Sequence, residues 1–150
     1  MSRRQAREIA LQALFQLDLN KAESPEKQEL YETLAIDTAL GETTDTDMIT
    51  KRDRAYIKEL VHGTVENMAA IDALIAESSR EWKVERMAVV DRNLTRIAIY
   101  EIRFSQEKLT PNIAINEAVE IVKKYGTKED SSFANGILSG VYKELKSHNG

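Results

Sequence analysis

Three arginines, Arg3, Arg4 and Arg7, open the 150-residue chain. Their type and spacing suit one task, holding an anion. On a helix, positions i, i+1 and i+4 fall within one arc. Guanidinium groups present planar forks of N–H donors that match phosphate oxygens. The location adds to this. In the first turns of a helix the dipole disfavours cations by roughly 0.3–1 kcal/mol each, and folding alone would favour Asp or Glu there. The cluster reads as a phosphate-binding site or as a solvated charge run. A short basic run by itself leaves both open.

Other chemistry finds little support. The chain has no cysteine and two histidines, His62 and His148, so disulfides and thiolate metal sites are excluded. His62 has no second ligand at metal spacing and reads as a helix residue with an ordinary hydrogen bond. No glycine-rich phosphate loop follows a strand, because Gly136 and Gly140 lie in a helical pattern. Carboxylate pairs such as Glu117 with Glu120 and Glu129 with Asp130 are expected by chance among 25 acidic residues. They read as solvated faces or helix caps rather than as a general acid and base. No catalytic, metal or cofactor site is expected.

The formal net charge of −4 argues against indiscriminate nucleic-acid binding, which rests on phosphate neutralisation. Any RNA contact must use a local basic patch, which leaves acidic surface for a basic partner. No apolar run approaches the roughly 20 residues of a membrane span. Glu8, Gln12, Gln16 and Asp18 interrupt the segment that follows the arginines, so it lacks a secretory apolar core. The expected setting is cytoplasmic, without membrane contact.

The elements that must position these residues read as helices. Ser2 and Gln5 have capping-box spacing before a helix from Arg3 to Leu19. Its apolar face is Ala6, Ile9, Ala10, Ala13, Leu14 and Leu17, widened by Leu11 and Phe15. Ser24 caps a second helix with Pro25 at its first position, apolar residues Leu30, Leu34 and Ile36, and Gly41 as its C-cap. Gly41 to Thr50 reads as a polar loop. A third helical region spans Lys51 to Ser78, and the interior Gly63 marks a close crossing or a bend. A fourth runs from Val84 to Phe104, and a fifth opens at Thr110-Pro111 and ends at Gly126. Thr127 caps the last helix with Asp130 three residues on, and Phe133, Ile137, Val141 and Leu145 share one face. No segment alternates with strand period, so the fold class is all-α.

Four stretches resemble the NusB family of bacterial transcription antitermination factors: RRQAREIALQALFQLD at the start, LTRIAIYEI from Leu94, TPNIAINEAVEIVKKYG from Thr110, and SSFANGILSGV from Ser131. They occur in the family's order and span nearly the whole chain. The segment from Lys21 to Thr50 carries no family-specific pattern. The resemblance implies one compact RNA-binding domain of two perpendicular three-helix-type bundles, with halves at about 1–80 and 84–146. It implies no enzymatic activity and no cofactor. It implies binding of the boxA element of ribosomal RNA leader transcripts, together with the ribosomal small-subunit protein NusE. That pair helps assemble an RNA polymerase complex that resists termination. Some relatives form homodimers, so a homodimer is also admitted.

By the same resemblance, Arg3, Arg4 and Arg7 contact RNA phosphates and bases, and Gln12 adds base-edge hydrogen bonds. Phe133 lies near RNA, as a stacking ring or as core with an exposed edge. No basic residue directly precedes Phe133, and Lys128, with Lys123 and Lys124, stands in for it. Phe15, Glu85 and Asp91 face the protein partner, where carboxylates suit a basic ribosomal protein. For Glu85 and Asp91, helix-dipole charge is an adequate alternative. Arg96, Glu101, Asn116 and Glu117 tie adjacent helices, with Glu101 or Glu117 pairing Arg96. Asn135 bonds to backbone, and Gly136 admits a neighbouring helix. Two other classes fit the same helical pattern: the NusB-like domain of ribosomal RNA cytosine methyltransferases, and a protein-interaction module without RNA binding.

Overall fold

The computed structural model describes residues 1–42, 49–78 and 87–149, with side chains through 144. Among the described residues every regular element is a helix, and the fold is all-α. The elements are α1 (Arg3–Leu19), α2 (Pro25–Gly41), α3 (Lys51–Glu66), α4 (Met68–Ser78), α5 (Val89–Ile99), a π-helical turn (Tyr100–Phe104), α6 (Pro111–Tyr125) and α7 (Lys128–Asn149). The chain divides into two compact units, Met1–Val65 and Glu66–Gly150. The junction expected from the sequence at 80–84 lies outside the described residues.

In the N-terminal unit, α1 and α2 pack as a helical hairpin. The expected Ser2–Gln5 box is present. Ser2 Oγ accepts from the Gln5 amide at 3.0 Å, and the Ser2 amide donates to Gln5 Oε1 at 2.9 Å. The Ser24 hydroxyl accepts from the Lys27 amide at 3.2 Å, with Pro25 opening α2. The inner face of α1 is Ala6, Ile9, Ala10, Leu11, Ala13 and Leu14; α2 buries Ala35, Ile36, Ala39 and Leu40. Leu30 and Leu34, expected to supply apolar packing, are exposed instead. They lie a helical half-turn or so away from the Ala35/Ala39 stripe, and that stripe of small residues lets α1 approach. Helix α3 is tied on by polar contacts. Arg54 donates to Asp37 of α2 at 2.9 Å, and His62 Nδ1 lies 2.9 Å from Oε1 of the buried Glu32.

The expected Lys51–Ser78 region is two helices. The break falls at Asn67, not at the buried Gly63. Asparagine competes with helical backbone bonding and favours helix starts, and the Asn67 carbonyl accepts the first bond of α4, from the Ile71 amide at 2.9 Å.

In the C-terminal unit α5 is the central helix, packed by α4, α6 and α7. Its residues Asn93 to Ile99 are all buried. It begins at Val89, and the expected start at Val84 lies outside the described residues. Its end is a π-helical turn, in which the Ser105 amide bonds to the Tyr100 carbonyl at 2.9 Å. Arg96 is buried as expected, but its partner is Asp72 of α4, not Glu101 or Glu117. Asp72 is 24 residues away in sequence, so helical spacing could not reveal it. Asn116 is exposed.

Two glycine expectations also change. Gly136 is open, with nothing within 4 Å of where a Cβ would lie, and Asn135 is exposed; at Gly140 a Cβ would meet the Ser78 carbonyl at 3.5 Å, an ordinary van der Waals contact. Gly126 does cap α6, donating to the Val122 carbonyl at 2.7 Å, but its backbone is extended rather than left-handed. A Cβ there would lie 2.8 Å from Asp130 Oδ2, so close approach is what demands glycine. Gly41 likewise has no positive φ.

Candidate nucleic-acid interface

The start of α1 is held by its cap and by α3. Thr50 and Asp53 form a reciprocal cap on α3, both bonds at 3.0 Å. The Thr50 amide, donating to it, holds the Asp53 carboxyl below its ordinary range. The Met1 ammonium lies 3.6 Å from the same carboxylate. This arrangement brings Tyr56, one turn along α3, under Arg3. The guanidinium carbon of Arg3 sits 3.9 Å from the ring centroid. Stacking uses the face of the guanidinium and leaves its N–H edge for an acceptor.

The three arginines do not share one outward arc. Arg3 and Arg4 are exposed, whereas Arg7 is buried. Arg7 lies three residues before Ala10 and four before Leu11, both of the inner face, so it belongs to that stripe. The sequence-based expectation of a common arc is corrected here. Arg4 and Arg7 both have interactions within the chain. Gln12 is half-buried with Oε1 shielded from solvent and without a hydrogen-bond partner. It is not displayed on an open polar side.

In the C-terminal unit, the turn from α6 to α7 carries Lys123, Lys124 and Lys128, all exposed, beside the exposed Tyr125. The Lys124 ammonium lies 5.5 Å from the Tyr125 ring centroid. Lys128 is the first residue of α7, where a cation opposes the helix dipole. The expected Thr127–Asp130 box is formed. The Thr127 amide donates to Asp130 Oδ2 at 2.9 Å, and the Asp130 amide donates to Thr127 Oγ1 at 3.1 Å. Phe133, about a turn and a half further on, is half-buried.

Of the partner residues, Phe15 is exposed and Glu85 lies outside the described residues. Asp91 is the clearest correction. It is buried, not facing solvent. Burial pushes its carboxyl up to about 6, reinforced by the charge of Asp130 beside it. Asp130 is held below the ordinary range, first by the Thr127 amide. Asp91 thus meets the start of α7 rather than an open surface. Sequence reasoning missed the Asp91–Asp130 and Arg3–Tyr56 pairs. Each joins residues tens of positions apart, and local spacing carries no signal for that. Among the described residues, no group of three or more His, Cys, Asp or Glu side chains could hold a metal ion. No described helix is long and apolar enough to cross a membrane.

Among the described residues the fold is that of a small all-helical protein, with a capped, arginine-bearing first helix and a lysine-rich turn before its last helix. The chain belongs to the NusB family, whose model matches residues 4–143. It is 48% identical to a transcription antitermination protein NusB of Bdellovibrio bacteriovorus, covering 95% of this chain and 96% of that protein. It is 39% identical to the protein of the same name from Bacillus cereus, covering 94% and 97%. Among solved structures it resembles T. maritima NusB, with a TM-score of 0.78 at 31% identity over 96% of this chain and 92% of that one. It also resembles a chain of the crystal structure of antitermination factors NusB and NusE in complex with dsRNA. That match has a TM-score of 0.75 at 27% identity over 95% of this chain and 96% of that one.

Proposed function

We propose that this protein is a cytoplasmic transcription antitermination factor. It binds boxA-type single-stranded RNA of ribosomal RNA leader transcripts together with the ribosomal protein NusE. It helps assemble a termination-resistant RNA polymerase complex and has no catalytic chemistry of its own. The observation that carries this is the exposure of Arg3 and Arg4 at the capped start of α1 in a chain of the NusB family. Two guanidinium groups there oppose the helix dipole, which folding alone does not favour. The likeness to the NusB–NusE–dsRNA structure supports the choice of RNA and NusE as partners.

RNA contact in this reading rests on Arg3 and Arg4, with Lys128 and the exposed edge of Phe133 as a second cluster. Arg7 acts from inside by orienting α1, and Gln12 must turn outward to reach a base. Phe15 faces the protein partner. The test is electrophoretic mobility with boxA-type RNA, with and without the ribosomal partner. Arg3→Glu with Arg4→Glu should abolish the shift while the circular dichroism spectrum is unchanged. Unaltered RNA binding in that variant would overturn the site.

A further inference from the structure

The exposed Arg3 of α1 lies on a ring that belongs to α3. Tyr56 is half-buried in the second turn of that helix, and its ring centroid is 3.9 Å from the guanidinium carbon. Two features fix where the ring stands. Its neighbour Ile57 is fully buried in the core, and the reciprocal Thr50–Asp53 cap holds the first turn of α3. A solvated arginine has many rotamers, and ordering it on binding costs affinity. A stacked guanidinium has its plane already set, with one face covered and its N–H edge left for an acceptor. The stack also offsets the unfavourable dipole that a cation meets in the first turn of α1. An aliphatic side chain would fill the same half-buried position, but only an aromatic face holds the cation.

We propose that Tyr56 is a positioning residue for RNA binding: it holds Arg3 flat, so that the guanidinium fork meets an RNA phosphate without first having to be ordered. The proposal rests on the reading of Arg3 as an RNA contact and adds α3, an element that reading leaves out. Phosphate is the acceptor because the preset edge carries parallel N–H donors, the match for two phosphate oxygens. The stack also gives a reason for arginine rather than lysine at this position. A lysine ammonium is a point charge with no planar fork for the ring to orient. Tyr56 itself touches no RNA in this arrangement and acts only through Arg3.

The test uses the full chain and a fluorescently labelled boxA-type RNA, titrated by anisotropy with NusE present throughout. Tyr56→Phe keeps the ring, and Tyr56→Leu keeps apolar bulk without it. Arg3→Gln is combined with Tyr56→Leu to close a double-mutant cycle. Tyr56→Phe should bind as the unaltered chain does. Tyr56→Leu should bind about 2–10-fold more weakly, the cost of ordering one long side chain. In the Arg3→Gln background Tyr56→Leu should change nothing further, a coupling that a merely structural role would not produce. Equal weakening by Tyr56→Leu with and without Arg3 would overturn the proposal, since the ring would then act on the fold or on RNA directly. Full binding by Tyr56→Leu beside impaired binding by Arg3→Gln would also overturn it, and would leave Arg3 as an RNA contact. If Arg3→Gln binds as the unaltered chain does, the reading of Arg3 fails and takes the positioning role with it. Arg3→Lys, at an exposed position, probes the fork without disturbing α3. It should weaken binding although the charge is kept, and binding equal to that of the unaltered chain would count against a preset fork and sink the proposal even if Tyr56→Leu failed to fold.

Discussion

Arg96 of α5 and Asp72 of α4 form a two-point ion pair. Nε donates to Oδ1 and Nη2 to Oδ2, both at 2.9 Å, while Nη1 reaches Asn93 Oδ1 at 3.2 Å. The arginine side chain is buried, so its charge depends on this pairing. Removing one member of such a pair leaves a charge without compensation. Asp72→Ala should cost about 3 kcal/mol, read from urea unfolding. Arg96→Met with Asp72→Ala should lose less than Asp72→Ala alone, because the stranded charge is gone. A double variant no better than the single would show that the pair does not carry this cost.

Asp91 should make stability fall as pH rises. Its folded carboxyl titrates near 6 against an ordinary 3.8, so between those values the folded state holds the extra proton. The stabilising contribution is complete below about pH 3.8 and is lost as pH passes through about 6. Asp91→Asn keeps a neutral side chain at every pH. It should raise stability at pH 7.5 by about 1–3 kcal/mol and flatten the profile between pH 4 and 7. Parallel denaturation profiles for the two proteins across that range would contradict this.

Gly126 and Gly136 should respond oppositely to alanine. At Gly126 the new methyl meets Asp130 Oδ2 at 2.8 Å and the Val122 carbonyl at 3.2 Å. Asp130 is held by two capping bonds and cannot yield without uncapping α7. Gly126→Ala should therefore cost about 1–2 kcal/mol. Gly136 is helical and open, so Gly136→Ala should stabilise by about 0.5–1 kcal/mol. Thermal melts of the two variants give the signs directly.

The salt dependence of RNA binding should separate the arginines. Each phosphate contact on a single strand contributes about 0.7 to the slope of log affinity against log salt. Arg3→Gln with Arg4→Gln should reduce the slope by about 1.4. Arg7→Gln should lower the melting temperature and leave the slope nearly unchanged, since Arg7 is buried. A drop in slope of about 0.7 from Arg7→Gln alone would put that side chain on an RNA phosphate.

The sequence by itself determined what is local. The Ser2–Gln5 and Thr127–Asp130 boxes, Pro25 and Pro111 at helix starts and the 3.6-residue stripes all act within a turn or two, and each was legible as spacing. The exposure of Arg3 and Arg4 at the start of α1 was legible for the same reason. Only the tertiary structure decided which long-range neighbour each polar group meets. It turned Arg7 inward, gave Arg96 to Asp72, laid Arg3 on Tyr56 and buried Asp91 against Asp130. It also left Leu30 and Leu34 bare and left Gly136 open, without the neighbouring helix expected there. Periodicity states which side of a helix is apolar. Which neighbour arrives there, and whether that side is covered at all, depends on how the helices pack.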